Sequence, residues 1–251
     1  MSDVLFDDAV AARYDRFCET PMGGWVDRVE RDLLWSLLAL SPGLSVVDLG
    51  CATGALTLAL AQSGCRAVGV DISPAMLARA RAKAPDGEQV RWVESDLAKL
   101  PFPDGTFARA LVHVTLEFVA SPQRVLDEAV RVLAPEGILV VGLVLAGGRW
   151  AAHYRRRGST DPRSVWRQAR FFDCETLAEW MGRPADVERR GLWVGPEDWP
   201  GVEEARVIER GGGHDAGQAG FAALAWRLDP GCRVSRTSRG GRADFGGRRR
   251  S

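Results

Sequence analysis

One stretch constrains this chain more than any other: Val46 to Gly54, read as VVDLGCATG. Apolar residues of high β-propensity lead into Asp48, and two glycines then bracket Cys51, Ala52 and Thr53. From Ala55 to Ala61 the chain is apolar and free of Gly and Pro, as a helix requires. Strand, glycine turn and helix in that order open a βαβ nucleotide-binding unit. A turn this tight asks for glycine, because a Cβ would collide with a ligand lying on the backbone.

The spacing excludes some ligands. No G-x-G-x-x-G can be drawn through Gly50, Ala52 and Gly54, and no G-x-x-x-x-G-K-[ST] occurs anywhere. Asp48, two residues before the first glycine, is a poor neighbour for a pyrophosphate. It suits a cationic ligand, such as one carrying an ammonium and a sulfonium.

Downstream, β and α signals alternate. Arg66 to Val70 predicts a second strand closed by Asp71, which stands 21 residues after Gly50. That is close to the ~20 at which such a unit places an acid on a ribose. Ser73-Pro74 predicts a capped helix with Met76, Leu77 and Ala80 on its apolar face. Val90 to Val93 predicts a third strand running into Glu94-Ser95-Asp96-Leu97, and Arg109 to Thr115 a fourth. A helix from Ser121-Pro122 to Leu133 and a fifth strand, Ile138 to Leu145, follow a turn at Pro135-Glu136-Gly137. The alternation implies a parallel α/β sheet with helices on both faces, and ligands in such sheets lie beyond the carboxyl ends of the strands. Asp48, Asp71, Asp96 and His113 all fall there.

On the residues VVDLGCATG, Asp71, Asp96, PFPDGTF and VLAPEG, the chain resembles the class I S-adenosylmethionine-dependent methyltransferases, whose first motif reads D/E-x-G-x-G-x-G. It is nearest the small-molecule group related to quinone-ring methyltransferases. The resemblance runs from about Ala9 to Ala146. It implies a Rossmann-like, seven-stranded, mostly parallel sheet, with Phe221 to Leu228 as the antiparallel last strand. It also implies S-adenosylmethionine as co-substrate and methyl transfer as the activity. Asp48, Gly50 and Gly54 would lie along the methionine part of that ligand, Asp71 on its ribose, Ile72 by its adenine, and Asp96 with Leu97 at the adenine amino group; Cys51 and Met76 belong to the same expected cofactor site. Tyr14, in the lead-in YDRF, would close over the methionine end. Two departures stand out. Ala52 replaces the middle glycine, which is tolerable if its φ is negative, and Glu117-Phe118 stands where many relatives carry His-His.

Catalysis of methyl transfer is mostly alignment and exclusion of water. His113, ending a strand beside the cleft, is the candidate base, and Glu117 the second; a histidine bonded only to backbone is the alternative. Arg155, Arg156, Arg157 and Arg170 could meet an acidic acceptor. However, only Lys83 and Lys99 among 33 basic residues are lysine, and so general an arginine excess discounts each arginine as a signal. Cys51 has no base near it in sequence and reads as a turn residue.

Three regions are expected. Residues 1–40 form an N-terminal helical cap, with Trp25, Val29, Leu33 and Leu37 at intervals of four and a break at Thr20 to Gly24. Residues 41–229 form the methyltransferase domain. Residues 230–251, where seven arginines face one acid, form a disordered Arg/Gly-rich tail. The formal net charge is zero, which argues against a dedicated nucleic-acid surface. The acidic start lacks the pattern of a signal peptide, the longest apolar run is too short for a membrane helix, and the five cysteines contain no C-x-x-C. The expectation is therefore a cytoplasmic enzyme with a small-molecule acceptor, no metal and no membrane partner. An RNA or protein methyltransferase using the basic tail, and a cofactor-binding protein without activity, remain as alternatives.

Overall fold

A computed structural model describes residues 5–84, 90–212 and 219–229. The expected tail, 230–251, lies outside the described residues. Seven strands form one sheet in the order β3-β2-β1-β4-β5-β7-β6, in which β7 alone runs antiparallel to its neighbours. They are β1 (Ser45–Leu49), β2 (Arg66–Asp71), β3 (Val90–Glu94), β4 (Phe107–His113), β5 (Leu133–Val144), β6 (Val187–Gly191) and β7 (Phe221–Arg227). The order reverses between β1 and β4, so a crevice opens there at the carboxyl ends. The fold class is the one the sequence implied.

The eight α-helices among the described residues are α1 (Asp8–Glu19), α2 (Pro21–Leu38), α3 (Ala55–Gln62), α4 (Pro74–Lys83), α5 (Pro122–Arg131), α6 (Arg149–Thr160), α7 (Cys174–Met181) and α8 (Val202–Gly211). Side chains of α5 and α7 pack on one sheet face around Val47, Val112 and Leu139. Those of α2, α3, α6 and α8 pack on the other, around Val46, Leu111 and Val140.

Several expected boundaries move, each for a local reason. The break at Thr20 to Gly24 shrinks to Thr20 alone, which ends α1 and caps α2 by accepting from Gly23 N at 3.0 Å. Gly23 lies inside α2, where a Cβ would strike the carbonyl of Phe17. The fourth strand ends two residues early, at His113, because Val114 takes a φ of +44°. The fifth begins early, at Leu133, and absorbs Pro135-Glu136-Gly137 as a bulge in which Glu136 has φ +62°. Besides these, β6 ends at Gly191, where Leu192 takes φ +58°. The polar stretch after Gly147 contains α6, and α8 lies between β6 and β7; neither helix was predicted.

Candidate active site

The glycine turn is built as much by the protein as for a ligand. Gly50 and Gly54 have φ of +82° and +83°, a region that costs little only for glycine. A Cβ on Gly50 would collide with Thr115, just beyond β4, and one on Gly54 with Trp92 of β3 and Ala80 of α4. Close packing against protein therefore requires both glycines, whether or not a ligand also lies on the turn. Ala52 has a φ of +46°, so the condition of a negative φ is not met there. Its N–H donates to Asp71 Oδ2 at 2.9 Å, which holds the strained turn in place.

Asp71 ends β2 and is buried. Its other oxygen accepts from Ser73 N at 2.8 Å. Burial pushes its carboxyl pKa up, and the amides of Ser73 and Ala52 partly offset this. The amide of Ile72 also lowers it, so three backbone N–H groups surround this carboxylate. Ile72 beside it is 61% exposed, an unusual state for a large apolar side chain between a strand and a helix. Ser95 N donates to Asp71 O at 3.1 Å, bringing the end of β3 alongside. There Asp96 is exposed, its carboxylate accepting from Ala98 N at 2.9 Å. Leu97 and Met76, in contrast, are buried, at 5% and 2% exposure. Cys51 is buried too, and burial raises its thiol pKa well above the ordinary value.

Asp48 is buried and accepts from Thr57 Oγ1 at 2.6 Å. Burial raises its carboxyl to about 6, against the lowering effects of Thr57 and His113. Over this turn lies α1. Asp15 accepts from Thr53 Oγ1 at 2.7 Å and from Lys83 Nζ at 2.6 Å, with Arg79 at 3.3 Å. Ahead of the helix, Phe6 O accepts from Ser73 Oγ at 2.6 Å, and the Phe6 ring meets Phe118 edge-on. Tyr14 of α1 is 38% exposed, with Cys18, Asp27, Glu30 and Asp48 as its ionisable neighbours. Burial, then these neighbours, push its phenol up.

Beyond β4 the chemistry changes. His113 Nε2 lies 2.9 Å from Glu30 Oε2 of α2, a partner the sequence reading missed. The one available signal was periodic: Glu30 sits four residues from Val26 and Leu34, in the middle of the buried stripe of α2. Thr115 Oγ1 lies 3.2 Å from Leu49 O and 2.9 Å from His113 O, tying the turn after β4 to the end of β1. Glu117 is wholly buried; Oε1 accepts from Val144 N at 2.9 Å, and Oε2 has no partner among the described residues. Burial raises its carboxyl to about 7. Tyr154 of α6 stacks on Trp166 at 3.7 Å, and Trp166 in turn contacts Phe118.

Three of the four candidate arginines have partners within the protein. Arg155 lies over Phe171 and donates to Ala146 O, Arg156 pairs with Glu197, and Arg170 donates to Val119 O. No group of three or more metal-ligating side chains occurs among the described residues. No helix there is long and apolar enough to cross a membrane.

The strand order and glycine turn define the class I methyltransferase fold, and comparison with known proteins agrees. Residues 47–141 match the family described as "Methyltransferase domain". Among curated relatives, a demethylmenaquinone methyltransferase of Clavibacter sepedonicus is 34% identical over 137 residues, 55% of this chain and 55% of the relative. Another, from Thermus thermophilus, is 41% identical over 118 residues, 44% of this chain and 54% of the relative. The chain thus spans about half the length of the curated relatives it matches. Two solved structures resemble it in fold, each at 24% identity. One is an S-adenosylmethionine-dependent methyltransferase of Thermotoga maritima described as a possible histamine N-methyltransferase, with TM-score 0.68, covering 88% of this chain and 96% of its own. The other is the [4+2]-cyclase SpnF, with TM-score 0.60, covering 82% and 81%. The match over residues 47–141 and the shared fold both agree with the resemblance to the class I S-adenosylmethionine-dependent enzymes.

Proposed function

We propose that the protein transfers the methyl group of S-adenosylmethionine to a small-molecule acceptor. Asp71 carries this reading: a buried carboxylate at a strand end, held in place by backbone amides, with an exposed isoleucine beside it. Two adjacent ribose hydroxyls can donate to such a carboxylate, and the flat face of an adenine can cover Ile72. Asp96, exposed at the neighbouring strand end, can accept from an exocyclic amine. Asp48 gives the glycine turn the negative charge that a sulfonium and an ammonium need. Tyr14 and α1 would shield the methionine end from water.

When bound, S-adenosylmethionine supplies an electrophilic methyl on a sulfonium. The chain's part is to bind, align and keep water out. The acceptor would enter beyond β4, between His113, Tyr14 and the Tyr154–Trp166 stack. The demethylmenaquinone methyltransferases among the relatives make a quinol one acceptor to try first. Calorimetry of the full chain should show heat with S-adenosylmethionine and with its demethylated product, and none with NAD. The reverse result would overturn the reading. Transfer of labelled methyl to a short-chain demethylmenaquinol would then separate quinol acceptors from others.

A further inference from the structure

Glu30 is out of place in an apolar stripe. It is 8% exposed on the inner face of α2, between Val26 and Leu34, and a buried carboxylate is costly unless paired. Its partner is His113, 83 residues further on, and both side chains of the pair are nearly closed off, at 10% and 14% exposure. Anchoring α2 to the sheet does not require a charge, since Leu34 and Leu38 are already wholly buried against it.

The histidine itself is fixed from several sides. Its ring meets Phe221 of β7 at 5.8 Å. Gly142 lies so close that a Cβ there would come within 3.2 Å of Cδ2. The next residue, Val114, is β-branched yet has φ +44°, a true backbone outlier. Val114 N donates to Gly142 O at 2.8 Å, which with Thr115 holds the strain. Strain of this kind gathers where a side chain must be aimed. What is left open is Nδ1: it carries no hydrogen bond among the described residues and is not one of their buried unpartnered atoms.

We propose that Glu30 is the positioning residue of a Glu30–His113 dyad, in which His113 Nδ1 takes the proton from the acceptor's nucleophilic atom. This rests on the methyl-transfer reading above. The acceptor is accordingly a hydroxyl or amine compound. Its heteroatom, or a ring carbon made nucleophilic by it, forms the bond to the methyl carbon; the carbon–sulfur electron pair returns to sulfur as a neutral thioether, and the proton displaced passes to Nδ1 and then to solvent. Glu30 holds the ring by Nε2–H and balances the imidazolium that results. The ionisable groups facing His113 are Glu30 and Asp27 of α2, Asp48 of β1, and Glu117 beyond β4, all acids, which disfavours an anionic acceptor. Burial alone would lower the histidine's pKa; the bond and charge of Glu30, with Asp48 and Asp27, raise it instead.

The dyad can be tested without knowing the acceptor. Diethyl pyrocarbonate acylates an accessible neutral imidazole, and peptide mass analysis separates His113 from the other two histidines. In the full-length wild type, acylation of His113 should rise with pH through a midpoint above 6.5. In Glu30→Gln the midpoint should fall toward 6.5, and in Glu30→Asp, which keeps the charge, it should return toward wild type. Circular dichroism on each variant checks that it folds, and ring nitrogen shifts of ¹⁵N-histidine protein give the same midpoint independently. A structural tether alone leaves His113 unreactive until the protein unfolds. That result, or a midpoint unmoved in Glu30→Gln by both methods, would overturn the dyad while leaving the methyltransferase reading intact. Loss of heat with S-adenosylmethionine in wild type would do the opposite.

Discussion

The two halves of the strand-end crevice are made differently. At β1, β2 and β3 the site is mostly backbone: a glycine turn, a carboxylate clasping the amides of Ala52 and Ser73, and an Asx-like turn at Asp96. Beyond β4 it is made of side chains from distant parts of the chain, Glu30 on His113 and Glu117 on Val144. The first half needs few residue types at fixed spacing, whereas the second can be assembled from many combinations. A ligand shared across a family fits the first kind of construction, and an acceptor that differs between members fits the second.

The comparison is broken most severely at Asp71. Asp71→Ala should lower affinity for the demethylated cofactor by about ten- to a hundredfold, the equivalent of ~1.5–3 kcal/mol. It should also destabilise the turn, because two backbone amides lose their acceptor, whereas His113→Ala should leave that affinity unchanged. Calorimetry on both variants decides this, and equal affinities for wild type and Asp71→Ala would deny the backbone half its ligand.

Glu117 sharpens the other half. Its folded-state carboxyl, at about 7, lies above the ordinary 4.5, so burial favours the protonated form. The stability this contributes is complete below pH 4.5 and is lost as pH rises through 7. At ~1.4 kcal/mol per unit the loss is on the order of 3 kcal/mol. Melting temperatures between pH 5 and 8 should therefore fall in wild type and stay flatter in Glu117→Gln.

The two halves share α1, which Asp15 fastens to the glycine turn. Asp15→Asn should cost about 1 kcal/mol or less, since the basic partners are more than a third exposed. Its clearer readout is faster proteolysis within α1. The smallest effect should have the opposite sign. Ala52→Gly relieves a left-handed alanine, worth ~1–2 kcal/mol, against the ~0.5–1 kcal/mol of extra freedom that glycine gives the unfolded chain. A net gain of about 1 kcal/mol or less is expected by denaturant titration, and a loss would mean that Ala52 packs favourably.

The same division explains what the sequence disclosed. Asp48, Gly50, Gly54, Asp71 and Asp96 could be placed at strand ends because short-range pattern dictates them: apolar runs, turn glycines, and Ser73-Pro74 capping α4. Glu30 could not, because a glutamate among charged helical neighbours signals nothing until β4 is laid against it. The stripe Trp25, Val29, Leu33, Leu37 pointed about one residue off the buried face, which centres on Val26, Glu30, Leu34 and Leu38. The α6 helix was missed because its arginines hide the stripe formed by Trp150, Ala151 and Tyr154. Ala52 shows a different limit: its positive φ is held by the hydrogen bond its N–H donates to Asp71, a contact that no local propensity contains.

The placement of β7 between β5 and β6 has a consequence for how this protein is made. Phe221, its first residue, contacts the His113 ring and faces Gly142. During synthesis the parallel strands β1 to β5 are complete some seventy-five residues before Phe221 emerges from the ribosome. Until then His113 lacks a wall and the edge of β5 lacks its partner. Formation of β7 therefore closes an aggregation-prone sheet edge and completes the surroundings of His113 in the same event. A nascent chain stalled before β7 would have the glycine turn already translated, but not the aromatic wall against which His113 is set.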